Sequence, residues 1–97
     1  IDVEVLQEVL HIYRSRDEVK RGVELVHDLL ILFPNPFPIG KHELVTAALL
    51  LTRYPGISAR DALHAAVVTE HSLTGIVSTD KDFDQVTECP RITPDQL

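Results

Sequence analysis

A single cysteine, Cys89, stands in the 97 residues, so no internal disulfide can form, and a reducing compartment such as the cytoplasm is the expected setting. Basic residues are also scarce. Nine Lys and Arg face fifteen Asp and Glu, for a net charge of −6, which argues against a surface that binds phosphate by overall charge. A cation held among clustered acids would reverse that sign locally. No apolar run approaches the roughly 18–20 residues of a membrane span; the richest, Leu29 to Phe33 and Ala47 to Leu51, are far shorter, so no membrane association is expected. The four glycines form no phosphate-binding loop, and neither a nucleophile elbow nor a Cys–His pairing is present. His64 and His71 share a helical face but lack a third nitrogen or sulfur ligand at zinc spacing. The chain opens on Ile1 rather than Met, from which we expect a piece of a longer protein whose signal segment, if any, lies outside it. Its length suits one small domain with room for one site.

Four helices are written in the apolar spacing. Asp2 can cap the first, with Val5, Leu6, Val9, Ile12 and Tyr13 on one face and Glu8 at the edge of that stripe, where a carboxylate can reach a crevice or simply meet solvent. Asp17 and Glu18 are expected to open the second, with Val19, Val23, Val26, Leu29, Leu30 and Phe33 as its buried side. Pro34-Asn35-Pro36 ends it, leaving Phe37-Pro38-Ile39 room for a very short strand before Gly40. The third, Lys41 to Tyr54, is apolar nearly all round and is expected to be buried twice, against its own sheet and against another subunit. The fourth starts at Ser58 after the Tyr54-Pro55-Gly56 break. Asp61, three residues on, fits a capping box as well as it fits a rigidly held ligand.

Chemistry is expected at Gly75 to Asp84. Gly75 to Thr79 is short, β-branched and apolar, as in a strand buried on both faces of a parallel sheet, and such strands point their carboxyl ends at a binding crevice. Asp80, Asp82 and Asp84 follow at once. Neighbouring carboxylates repel, and a hard cation such as magnesium, a basic partner or a shared proton relieves them; alternatively Asp82 and Asp84 merely begin a short helix. A calcium loop of the EF-hand type is excluded, because Gln85 and Arg91 occupy the places that need Gly and Glu. Val86 to Pro90 reads as a loop and Arg91 to Thr93 as a short edge strand. The order of elements predicts an α/β fold with a mostly parallel sheet flanked by helices.

Three blocks, Val5 to Val9, Ser58 to Ala66 and Ile76 to Phe83, occur in an order and spacing that resemble the PIN domain, the nuclease fold of VapC-type toxins, over Val3 to Pro94. The resemblance implies a three-layer fold and a metal-dependent endoribonuclease, the toxin of a toxin–antitoxin pair. Glu8, Asp61 and Asp80, joined by Asp82, would hold one or two Mg2+ or Mn2+ ions and carry catalysis on RNA. Ser78 and Arg60 would support them, Ser78 as the strand-end hydroxyl that orients the acids. A cognate antitoxin would occupy the acidic groove. The family also opens with a strand ending in Asp, which this sequence lacks, so the chain is expected to be truncated at its N-terminus, inactive alone, and self-associated as a homodimer or larger oligomer. The competing expectation is a catalytically inactive PIN-like module that binds protein through the apolar third helix.

Overall fold

The computed structural model describes residues 1–96, which form two compact units, one over residues 1–38 and one from Ile39 onward. In the first, α1 (Val3–Ser15) and α2 (Val19–Leu32) pack as a helical hairpin. Asp2 is buried and caps α1, its carboxylate accepting from the Val5 N–H at 3.2 Å. The same residue forms an isolated parallel bridge with Phe37: Phe37 N–H donates to the Ile1 carbonyl at 2.9 Å and Val3 N–H to the Phe37 carbonyl at 3.0 Å. The short strand expected at Phe37 is thus a single bridge, since the prolines on either side have no N–H to extend it.

The second helix differs from expectation at both its start and its face. Asp17 is not helical but sits at φ 57°, the left-handed region that Asp tolerates better than most residues, and Glu18 is the residue that precedes the first turn. Its inward side runs through Gly22, Leu25, Val26 and Leu29, whereas Val19, Val23, Leu30 and Phe33 are exposed. Gly22 explains the shift. A Cβ there would lie 2.7 Å from the Tyr13 Cβ, so the two helices meet at a residue that an apolar count passes over.

The second unit pairs α3 (Lys41–Arg53) with α4 (Ala59–Glu70), followed by β1 (Ile76–Val77), a 3₁₀ turn (Lys81–Gln85) and β2 (Arg91–Ile92). Ala47, Leu50, Ile57, Ala62, Ala65, Ala66, Val68, Phe83, Val86 and Cys89 form its core. Ala62, Ala65 and Ala66 of α4 are fully buried and let neighbouring elements approach closely. Only Glu43, Ala47 and Leu50 of α3 are buried; Leu44, Val45 and Leu49 are exposed, so that helix is covered on one side, not two. β1 and β2 pair in parallel, Ile76 opposite Arg91 and Val77 opposite Ile92. The chains are close at the entry to this pair, where a Cβ on Gly75 would come within 2.2 Å of the Pro90 carbonyl oxygen. The strand is shorter than the Gly75 to Thr79 expected, and Val77 is half exposed rather than buried on both faces. A β-branched run marks extended backbone, but coverage comes from neighbours, and among the described residues β1 pairs only with β2. No described helix is long and apolar enough to cross a membrane.

Candidate metal centre

Asp61 enters from the first turn of α4. Ser58 caps that helix, its Oγ accepting from the Asp61 N–H at 3.1 Å, and its hydroxyl also acts on the Asp61 carboxyl, so the cap holds this residue where it can still offer an oxygen to the group formed with Asp80 and Asp82. The alternatives of cap and ligand are therefore compatible. The buried alanines one residue and one turn beyond fix the helix, and Asp61 with it, at the end of β1.

Asp80 and Asp82 arrive from the turn that follows β1. Ser78 N–H donates to the Ile92 carbonyl at 3.0 Å, the last sheet bond, and its Oγ then accepts from the Asp80 N–H at 3.0 Å. Asp80 repeats the device one step on, its Oδ1 accepting from the Asp82 N–H at 2.9 Å to start the 3₁₀ turn. Asp82 and Asp84 do lie in the first turn of that short helix. One carboxylate oxygen from each of Asp61, Asp80 and Asp82 lies within 4.8 Å of the others. Asp61 is partly buried, while Asp80 and Asp82 are exposed.

The local trio Asp80, Asp82, Asp84 is accordingly divided. Asp84 turns to Arg91, which donates from Nε to Oδ1 at 2.8 Å and from Nη2 to Oδ2 at 3.1 Å. That guanidinium holds the Asp84 carboxyl below its usual range. Asp61 takes its place in the group. Its carboxyl is pushed above the usual range, first by burial and then by the charge of Asp80, against the opposing pull of the Ser58 hydroxyl, His64 and Arg60. Arg60, expected in support, precedes Asp61 on α4 and is exposed. Glu8 lies half-buried on α1, in the first unit.

Sequence reasoning passed over two residues. Arg91 read only as part of an edge strand, and its pairing with Asp84 had no local signal. Glu43, buried on α3, reaches back to the Gly40 N–H at 3.3 Å and lies 3.4 Å from His71 Nε2 at the end of α4; its spacing of three from Gly40 was the available clue. His71 thus faces Glu43 rather than a metal, and Cys89 is fully buried with its thiol pushed up to about 11, so it stays protonated at neutral pH.

Carboxylate oxygens from a helix start and a strand-end turn of an α/β chain, with no sulfur among them, make a donor set that could hold a hard divalent cation. The sequence matches the PIN domain family over residues 1–88, and the chain belongs to that family. It is 38% identical over 86 residues to ribonuclease VapC13 of Mycobacterium tuberculosis and to VapC ribonuclease Mb1869c of Mycobacterium bovis. Each match covers 86% of this chain and 63% of the relative. The chain therefore spans somewhat under two thirds of the length of those relatives. No solved structure matches it.

Proposed function

We propose that the protein to which this chain belongs is a metal-dependent endoribonuclease acting as the toxin of a toxin–antitoxin pair. The observation that carries this is the meeting of Asp61, Asp80 and Asp82 within 4.8 Å in a PIN-family chain whose relatives are named ribonucleases. Asp61, Asp80 and Asp82 would hold Mg2+ or Mn2+, all-oxygen donors being suited to either. When bound, such an ion supplies an acidified water and neutralises charge on the phosphodiester. The chain's own residues do the rest. Asp61 and Asp80 direct carboxylate oxygens at one point, Ser78 fixes the turn that aims Asp80, and the exposure of Asp80 and Asp82 leaves the centre open to a large substrate.

In this reading Glu8 joins Asp61 and Asp80 as a catalytic carboxylate, with Arg60 in support, and the two units belong to one PIN domain. The family match runs through both units, which supports that reading. An antitoxin would present basic groups to the acidic centre, and the protein would work in the cytoplasm, in keeping with its buried, unpaired thiol. A second reading, an inactive module that binds protein, draws on the exposed Leu44, Val45 and Leu49 of α3. RNA cleavage by the full-length protein decides between them. Cleavage should require Mg2+ or Mn2+, stop with chelator, and fall about 100-fold or more in Asp80→Asn, since each lost charge-stabilising contact is worth several kcal/mol. Cleavage that survives both treatments would remove the metal centre from the function; a folded protein that cleaves no RNA would favour the interaction module.

A further inference from the structure

Asp80 and Asp82 are exposed on a segment whose Phe83 is buried in the core, and one side chain from outside grips that segment at both ends. Arg91 lies in β2 opposite Ile76, two residues before Ser78. From there Nε and Nη2 hold the Asp84 carboxylate at 2.8 and 3.1 Å, while Nη1 donates to the Ser78 main-chain carbonyl at 3.4 Å. The Arg91 side chain is only 15% exposed, whereas Asp84 is 54% exposed, so the arginine is the fixed partner and the turn is what it fastens. Ser78 and Asp84 bracket the segment, and between them the Ser78 to Asp80 and Asp80 to Asp82 bonds fix its curvature. Only a planar fork with several N–H groups can span both contacts; a lysine offers one point charge.

We propose that Arg91, anchored by Asp84, is a positioning residue of the metal centre: it sets the Ser78–Asp84 turn so that Asp80 and Asp82 meet Asp61. This rests on the metal-centre reading above. Two effects of Arg91 have opposite signs. As a positive charge near a cation site it opposes metal binding, so its removal would tighten binding if charge were its main influence. As a clamp it pre-sets the donors, and its loss loosens binding, with outer partners of metal ligands contributing about 10–100-fold in affinity.

Mn2+ titrated calorimetrically into the full-length protein separates the two, using wild type, Asp80→Asn, Arg91→Gln, Arg91→Lys and Asp84→Asn, each checked for its helical circular dichroism at the assay temperature. We expect wild type to bind, Asp80→Asn to lose binding, and Arg91→Gln and Arg91→Lys to bind about 10–100-fold more weakly while remaining helical. Lysine keeps the charge without the fork, so its failure to rescue marks geometry as the cause. Asp84→Asn should weaken binding in the same direction, and it carries the test if the Arg91 variants do not fold. Binding by Arg91→Gln or Asp84→Asn that equals or exceeds wild type overturns the inference while leaving the metal centre intact. Wild type that binds no Mn2+, or Asp80→Asn that binds as wild type does, overturns the metal centre itself and the inference with it.

Discussion

Asp61 is the residue whose environment most sets it apart from an ordinary surface acid. Burial and Asp80 raise its carboxyl pKa in the folded chain, so the folded state takes up a proton more readily than the unfolded one. Below the unfolded value, about 4, both states are protonated and nothing is lost. As pH rises through the folded value the ionised form becomes costly, and at neutral pH that cost is fully present unless a cation balances it. Asp61→Asn is therefore expected to melt above wild type at neutral pH in chelator, with the difference closing as the solution is acidified to about pH 4. Melting curves across this range check it. A variant that melts below wild type at every pH would mean that the carboxylate is structurally required rather than strained.

The helices and strands of the second unit are held by a few long contacts at their ends. Where α3 finishes, Tyr54 Oη donates to Glu88 Oε1 at 2.5 Å and lies 3.0 Å from Thr87 Oγ1, while Arg53 Nη1 meets Glu88 Oε2 at 2.6 Å. These bonds tie α3 to the loop that bears the buried Val86 and Cys89 and leads into β2. The Glu88 carboxyl is lowered by the Tyr54 and Thr87 hydroxyls. A lowered folded pKa contributes stability above the unfolded value and loses it as pH falls through the folded one. Tyr54→Phe should thus lower the melting temperature at neutral pH but converge with wild type at the acid end of the carboxylate range. A constant deficit at all pH values would assign the effect to packing of the ring instead.

At the scale of the whole molecule, α3 leaves a group of apolar side chains uncovered. Leu44, Val45 and Leu49 lie on adjacent turns at 60%, 53% and 64% exposure, more apolar surface than a lone helix face needs to show water. A second copy of the chain is the partner we expect there. Light scattering should give a mass above that of one chain, and Leu49→Lys should return it to one. A wild-type chain that stays monomeric at high concentration would refute this.

The four helices were legible because apolar spacing, the Asp2 and Ser58 caps and the proline and glycine breaks are local properties of the chain. Ser58, Asp61 and Asp80 could be singled out for the same reason, since a cap and a strand end are made within a few residues, whereas Ser78 was named only through the family resemblance. What local patterns could not carry was the choice of partners across the sequence. Asp84, two residues from Asp82, left the acidic group for Arg91, and Asp61, some twenty residues away, entered it, because charge is settled by distance in space. Likewise Val77 and the outer residues of α3 have core-like side chains yet stand exposed. Burial depends on what packs against an element, and that is decided only when the elements meet.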